Sequence, residues 1–248
     1  MSTPPIADVE RGAPAPAPRR GAAPAVALAA AATIGAAALL GRWLDDGTIV
    51  VRAAALVVAG GGALLWLAAR QLPGPFGAAN SVTLVRATLA VLLVALLGAA
   101  PAPAIGWTLV GLGAAGVALD GVDGALARGR NEASEFGARF DMETDALLIL
   151  VLAALVWQHG KAGAWILAAG LLRYAFVAAG RCLPWLGAAL PPSRRRQAVC
   201  VVQIVSLLGA LAPVVAPPWS AALALAGLVA LAWSFGVDVR WLARHART

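Results

Sequence analysis

The sequence predicts an all-α polytopic membrane protein, and three observations lead to this fold class. Hydrophobic residues make up 61% of the 248 residues, well above the roughly 45–50% that soluble domains contain. Apolar runs of about 20 residues recur along the chain, which is the length that a bilayer-spanning helix needs. These runs are continuous and do not alternate with polar residues, and this pattern excludes a membrane β-barrel.

We expect about eight membrane spans, in this order along the chain: residues 24–41, 48–69, 80–99, 104–126, 138–157, 162–182, 197–216 and 218–237. Turn-forming residues separate most of these spans, and they lie at Asp45–Gly47, Pro73–Pro75, Pro101–Pro103, Pro191–Pro192 and Pro217–Pro218. The fourth and fifth spans are separated instead by a polar window, residues 120–145. Ala and Gly are frequent in the spans, and such small residues let membrane helices pack closely.

The polar residues divide the chain into four regions. Residues 1–23 are rich in Pro, Ala and Arg and lack the apolar segment of a cleavable signal peptide, so we predict a disordered cytosolic tail. The first two spans, within 24–70, carry no acid inside the membrane and no recognisable motif. We interpret them as an accessory hairpin, residues 76–240 as a six-span functional core, and residues 241–248 as a second cytosolic tail.

The positions of the basic residues predict the orientation in the membrane. The net charge is +7, and cytosolic loops of membrane proteins are enriched in Lys and Arg. An N-terminus in the cytosol leaves little more than Arg42 and Lys161 on the opposite side. The cytosolic side then receives Arg11, Arg19, Arg20, Arg70, Arg128, Arg130, Arg181, Arg194, Arg195, Arg196, Arg240, Arg244 and Arg247.

We therefore expect a multi-pass protein of the cytoplasmic membrane with both termini and the polar window in the cytosol. The positive charge is explained by this topology and by contact with anionic membrane lipids, so we expect no nucleic-acid partner. Five tryptophans should form an aromatic belt at the other face: Trp43, Trp107, Trp157, Trp165 and Trp219.

The polar window contains four aspartates, Asp120, Asp123, Asp141 and Asp145. Each acidic side chain in a span is unfavourable by roughly 2.5–3.5 kcal/mol on insertion scales, so the set requires compensation. Asp120 and Asp123 share one helix face, and Asp141 and Asp145 share another, because residues three or four apart are neighbours on a helix. Carboxylate oxygens in this number suit Mg²⁺ or Mn²⁺, and two such ions could hold a diphosphate.

Other residues of the polar window are compatible with a phosphate ligand. Gly124 and Gly137 leave room for a ligand near the backbone, and Arg128 supplies a planar cation for phosphate. The alternative for the aspartates is a set of buried ion pairs with Arg128, Arg130 and Arg139. Such pairing does not require the observed spacing or the interleaved glycines.

The polar window resembles the signature of the CDP-alcohol phosphotransferase (CDP-alcohol phosphatidyltransferase) family, D-x2-D-G-x2-A-R-x8-G-x3-D-x3-D. The matching residues are Asp120, Asp123, Gly124, Ala127, Arg128, Gly137, Asp141 and Asp145. Upstream, Asn80 and Thr83 resemble the N-x-x-T element of the same family, with Arg86 one turn later. The resemblance covers the six-span core and leaves out the first two spans.

The resemblance implies a reaction and a role for each matching residue. Family members transfer a phosphatidyl-type group from a CDP-linked lipid such as CDP-diacylglycerol to an alcohol and release CMP. By position, Asp120, Asp123 and Asp141 correspond to metal ligands, and Asp145 corresponds to the proton acceptor and a further metal ligand. The residues that correspond to contacts with the CDP-lipid are Asn80, Thr83, Gly124, Arg128, Ser134 and Gly137.

The small alcohol that accepts the group is left open by the polar window. A phosphorylated acceptor such as inositol phosphate or glycerol phosphate needs cations, and the candidates are Arg173, Arg194, Arg195 and Arg196. Unphosphorylated inositol is a further candidate acceptor, and the arginines have positive-inside topology as an alternative explanation. Relatives that use glycerol phosphate often have Asp-Pro and Asp-Lys where this chain has Asp145-Ala146 and Asp141-Met142, which disfavours glycerol phosphate.

Two other functions are compatible with the same residues. A divalent-cation transporter could use the aspartates as its translocation site. A silent lipid-binding member of the family is the second alternative, but the intact set of aspartates argues against it, because such a member would be free to lose Asp145. Relatives of this family are dimers, and the small-residue spans are compatible with a homodimer. The GxGxxG at Gly111–Gly116 lies inside an apolar span, so we interpret it as a helix-packing element and not as a nucleotide site. Cys182 and Cys200 are interpreted as small apolar residues without a disulfide.

Overall fold

The computed structural model describes residues 22–71, 76–130 and 135–246, with residues 71, 78, 79, 121–130 and 135 described as helical backbone alone. Regular structure in these ranges is helical throughout, which confirms the all-α prediction. The long helices are α1 (Ala22–Trp43), α2 (Thr48–Gln71), α3 (Ala78–Ala95), α4 (Pro103–Arg130), α5 (Glu135–Gln158), α6 (Leu167–Cys182), α7 (Arg194–Leu211) and α8 (Trp219–His245). The predicted disordered tail lies almost entirely outside the described residues.

Five of the described helices are long and apolar enough to cross a membrane: α1, α2, α4, α6 with the turn before it, and α8. Helix α3 contributes a shorter apolar stretch, Asn80–Ala95. Helices α5 and α7 instead begin with the charged residues of the polar window and of the arginine run 194–196. The eight predicted spans thus correspond to eight long helices, of which α3 has a shorter apolar stretch and α5 and α7 begin with charged residues.

Two helices, α3 and α8, end at residues other than the ends of their apolar runs. Helix α3 ends at Ala95, four residues before the predicted limit, because the chain turns at Gly98, which has a φ of +87°. This left-handed conformation is accessible to glycine at little steric cost. Helix α8 continues to His245, eight residues beyond the predicted end of its apolar run.

Helix α5 forms the centre of the bundle. Its second half contains consecutive turns of fully buried apolar side chains, and it packs against α3, α6 and α7. The buried residues of this half include Leu152, Ala153, Leu155 and Val156. Because α5 also carries Asp141 and Asp145 in its first half, the packing of its apolar half determines where these aspartates lie.

Successive helices of the core alternate in direction, as two polar contacts indicate. Arg86, early in α3, reaches Asp120, late in the apolar part of α4, and Arg195, at the start of α7, reaches Asp238, late in α8. The polar window and the arginine run lie at the same end of the bundle, because Cys200, near the start of α7, lies 3.8 Å from Asp145 of α5. The five tryptophans of the predicted belt lie towards the opposite helix ends and are all exposed, as side chains in a membrane–water interface would be.

Candidate active site

Three of the four predicted aspartates come together at one end of the bundle. Asp120 from α4 and Asp141 and Asp145 from α5 place one carboxylate oxygen each within 4.8 Å of one another. All three residues are partly buried. Asp141 and Asp145 share a face of α5 because they are one turn apart, and that face is turned towards α4 and α3. We call Asp120, Asp141 and Asp145 the carboxylate cluster.

A buried arginine on α3 is bound to all three members of the carboxylate cluster. Arg86 is 4% exposed. One terminal nitrogen, Nη1, lies 3.0 Å from Oδ1 of Asp120 and also donates to Oδ1 of Asp141. The other, Nη2, donates to Oδ1 of Asp145. One guanidinium thus connects α3, α4 and α5, and its planar fork of donors suits this arrangement better than a lysine would.

Two residues that are predicted to bind the CDP-lipid, Asn80 and Thr83, lie on the same face of α3 as Arg86. Asn80, Thr83 and Arg86 are three residues apart, a spacing that keeps side chains on one helix face. Asn80 is 5% exposed and Thr83 is 3% exposed. Gly137 lies one turn before Asp141 at the start of α5. The roles of these residues as contacts with the CDP-lipid stay predictions.

Helix α7 also contacts the site, through Cys200. Its Sγ lies 3.8 Å from Oδ2 of Asp145, so the two oxygens of Asp145 face different neighbours, Arg86 and Cys200. The sequence suggested no role for Cys200 beyond filling space. Cys182 and Cys200 are both free thiols, in agreement with the absence of a predicted disulfide.

Four further predicted site residues cannot be placed by their side chains. Asp123, Gly124 and Arg128 belong to the backbone of α4, and their side chains lie outside the described part of the chain. Ser134 lies wholly outside the described residues. Their expected roles as a metal ligand (Asp123) and as contacts with the donor stay predictions.

Arg173, a candidate acceptor-binding residue, pairs with a different acid of α5. Its Nη2 forms an ion pair with Glu143, and its Nη1 lies 2.8 Å from Sδ of Met142. Glu143 is two residues from both Asp141 and Asp145, so it lies on another face of α5. In the structure, Arg173 is therefore beside the carboxylate cluster and not in contact with it.

The arginine run at the start of α7 divides into two kinds of residue. Arg195 donates from Nη1 to the carbonyl oxygen and the hydroxyl of Ser234, each at 2.6 Å, and from Nη2 to Asp238. Arg196 lies 3.4 Å from Asp238. Arg194 is exposed. The acceptor-binding prediction for the run stays a prediction, and Arg195 and Arg196 already have partners on α8.

Comparison with protein families assigns the chain. The family model described as CDP-alcohol phosphatidyltransferase matches residues 76–237, about two thirds of the chain. The chain belongs to this family. No curated protein and no solved structure matches the chain.

The CDP-alcohol phosphatidyltransferases transfer a substituted phosphate group from a CDP-alcohol and depend on divalent metal, and the carboxylate cluster fits such an ion. Its donors are hard oxygens, which Mg²⁺ and Mn²⁺ prefer. Three carboxylates against one guanidinium leave negative charge in excess, and this excess favours a bound cation. Asp120, Asp141 and Asp145 are the described residues that would hold the ion, with Asp123 as a predicted fourth ligand.

Arg86 is the site residue that sequence reasoning missed. Its position one turn after the N-x-x-T element predicts no role for it, and the partners that the sequence offers for the aspartates are Arg128, Arg130 and Arg139. In the described part of the chain, the structure pairs the aspartates of the carboxylate cluster with Arg86, while the side chains of Arg128 and Arg130 lie outside that part. One signal was present in the sequence: an arginine inside an apolar span requires a partner, and this usually marks a functional site.

Proposed function

We propose that this chain transfers a phosphatidyl group from a CDP-linked lipid such as CDP-diacylglycerol to a small alcohol, with release of CMP, in phospholipid biosynthesis. The observation that supports the proposal most is the convergence of Asp120, Asp141 and Asp145 from two helices within 4.8 Å, at positions where the family signature has its catalytic aspartates. Membership of the family supports the transfer reaction itself.

The proposed reaction is an in-line displacement at the lipid-side phosphorus. The acceptor oxygen forms the new bond to phosphorus, the bond from phosphorus to the CMP oxygen breaks, and CMP leaves with that electron pair. Two divalent ions held by the aspartates would supply the positive charge that neutralises the diphosphate and the leaving CMP. The proposed ligands of these ions are Asp120, Asp123 and Asp141, with Asp145 as a further ligand.

Asp145 is the proposed general base, and it takes the proton of the acceptor hydroxyl. Its Oδ1 accepts from Arg86 and its Oδ2 faces Cys200, so its carboxyl group is held in one orientation. Asn80, Thr83, Gly124, Arg128, Ser134 and Gly137 are the proposed contacts with the CDP-lipid. The positions of Asn80 and Thr83 on the face of Arg86 support this assignment for the two residues on α3.

The proposed acceptor is a small polyol or its phosphate, such as inositol or inositol phosphate. Arg173 and Arg194 support an anionic acceptor, because Arg173 lies beside the carboxylate cluster and Arg194 is an exposed cation at the same end of the bundle. Glycerol phosphate is a less favoured member of the same class. We also propose that this end of the bundle faces the cytosol, which the distribution of arginines supports.

The proposal is tested by measuring CMP release from CDP-diacylglycerol by the purified chain, with Mg²⁺ or Mn²⁺ and a panel of alcohols. CMP and a new lipid should appear with one acceptor class, and EDTA should abolish both. Asp145→Asn should lower turnover by about 10²–10⁴-fold, the usual contribution of a positioned base, while binding of the CDP-lipid is largely kept.

The matched control is Asp45→Asn, which changes an exposed acid in the turn between α1 and α2, at the opposite end of the bundle. Its φ of +52° is one that Asn also adopts readily, so turnover should be unchanged. A folded, metal-binding protein that releases no CMP with any alcohol contradicts the proposal. Metal flux into vesicles by such a protein would favour the transporter instead.

A further inference from the structure

Arg86 occupies the same carboxylates that the divalent ion needs. Its two terminal nitrogens contact Oδ1 of Asp120, Asp141 and Asp145, and these three residues supply the oxygens of the carboxylate cluster. An ion bound by these carboxylates would lie about 2 Å from their oxygens, and therefore close to the guanidinium. Positive charges at such a separation repel strongly in a partly buried site.

The surroundings of Arg86 strengthen the repulsion between its guanidinium and a divalent ion bound by the carboxylate cluster. The side chain is 3% exposed, so water does not screen its charge from a neighbouring ion. Its Nε has no hydrogen-bond partner in the described part of the chain. The polar contacts of its two terminal nitrogens are with the carboxylate cluster. Arg86 cannot keep all three contacts at full strength while the same acids bind a divalent cation.

We propose that Arg86 is the resident counter-ion of the metal-free site, and that the divalent ion binds by displacing it from the carboxylate cluster. Before the ion binds, the guanidinium lets three acids from two helices approach one another inside the bundle, where unpaired charges would be costly. When the ion binds, at least one Arg86–carboxylate contact is released. This inference rests on the metal site of the proposed function and is independent of the alcohol.

The first test measures Mn²⁺ binding to the purified full chain, without CDP-lipid, from the electron paramagnetic resonance signal of free Mn²⁺. Arg86→Gln removes the competing charge, so its Kd for Mn²⁺ should fall by about tenfold or more relative to wild type. The control is Arg52→Gln, which removes another intramembrane arginine that binds backbone carbonyls at the far end of α3. Its Kd should stay within about twofold of wild type.

The second measurement compares unfolding temperatures of the same proteins in EDTA and in saturating Mn²⁺. Arg86→Gln should be less stable than wild type in EDTA, because three acids lose their counter-ion. It should gain more from Mn²⁺ than wild type does, as tighter binding to the folded state requires. Arg52→Gln should lose stability equally under both conditions.

A third measurement uses a fold-preserving change and the wild-type protein, in case Arg86→Gln does not fold. Infrared difference spectra of protein with isotope-labelled guanidino groups should show a shift of guanidinium bands when Mg²⁺ is added. The shift should vanish in Arg86→Lys, which keeps the positive charge, and persist in Arg52→Gln.

Three outcomes would overturn the inference. They are an unchanged or weaker Mn²⁺ affinity in Arg86→Gln, a wild-type protein that binds no Mn²⁺ at millimolar concentrations, and guanidinium bands that do not respond to metal. Because none of these measurements contains donor or acceptor, a failure of the proposed transfer reaction would leave them intact. Conversely, CMP release by a protein whose Arg86 ignores the metal would reject this inference alone.

Discussion

Three consecutive arginines begin α7. Two of them are held by contacts with α8, and the third is exposed. Arg195 and Arg196 both reach Asp238, which is 8% exposed, whereas Arg194 is exposed at the same helix end. Asp238 is one acid shared by two cations, and Arg195 is further held by Ser234. The group therefore attaches the start of α7 to the end of α8 beside the site, and Arg194 is the member best placed to meet a substrate.

Asp238→Asn should destabilise the protein, because it leaves two arginines without their buried acid. We expect a loss of about 2 kcal/mol in the free energy of unfolding, the order found when a charged hydrogen-bonded partner is removed. Arg194→Gln should leave stability within about 0.5 kcal/mol, as exposed substitutions usually do. Unfolding temperatures in detergent measure both, and equal effects of the two changes would contradict the division of roles.

The two outcomes at the site show what residue spacing can predict. The proximity of Asp141 and Asp145 was predictable because an i, i+4 spacing imposes a shared face on any helix. Arg86 was not predictable as their partner, because it is separated from Asp141 by 55 residues and from Asp145 by 59. Contacts between helices depend on how each helix is rotated about its axis, and local spacing contains no information on that rotation.

At the level of helices, glycines set how closely α5 and α6 approach. A Cβ built on Gly170 of α6 would collide with the backbone of Leu150 on α5. Gly170 lies one turn before Arg173, so this close approach also brings Arg173 to Glu143. The GxGxxG of α4 has mixed surroundings: Gly113 meets Leu208 and Gly116 approaches Leu148, but Gly111 faces open space. This agrees with the predicted helix-packing role for two of its three glycines.

Gly170→Ala should destabilise the protein by about 1–3 kcal/mol, because the added methyl group would collide with the backbone of Leu150, which cannot move without shifting α5. Gly111→Ala is the matched control, since nothing lies within 4 Å of its Cβ position. There the higher helix propensity of Ala should leave the protein unchanged or more stable by up to about 1 kcal/mol. Opposite signs in the shift of unfolding temperature are the expected result, and a neutral Gly170→Ala would show that α5 and α6 can separate.

The number and order of the helices followed from the apolar runs and the turn-forming residues between them, but the ends of the helices did not. The predicted third span ran to residue 99, whereas α3 ends at Ala95 because Gly98 and Gln158 organise the turn. The Gly98 N–H donates to Oε1 of Gln158 at 2.8 Å, and Nε2 of Gln158 donates to the Ala99 carbonyl at 2.9 Å. Gln158 is far away in sequence, so the apolar run alone could not reveal where α3 stops.

Across the whole molecule, the N-terminal hairpin of α1 and α2 lies outside the residues that match the family model, yet a partly buried polar contact attaches it to the core. Arg52 of α2 donates from Nη1 to the carbonyl oxygens of Ala95, at 3.3 Å, and Leu97, at 2.6 Å. These carbonyls lie at the C-terminal end of α3, where a positive charge is favoured. An arginine within a span needs such partners. Separation of the hairpin would leave both the Arg52 guanidinium and the two carbonyl oxygens without hydrogen-bond partners.

Arg52→Gln should therefore weaken the attachment of the hairpin without disturbing the site. We expect a loss of about 1–3 kcal/mol in the free energy of unfolding, since charged hydrogen bonds to two helix-end carbonyls are lost. Arg42→Gln, at the exposed end of α1, should change stability by less than about 0.5 kcal/mol. Arg86 lies nine residues before Ala95, about 13 Å along the axis of α3. Turnover of the folded Arg52→Gln protein should therefore match wild type, and a specific loss of turnover at unchanged stability would instead make the hairpin part of the catalytic unit.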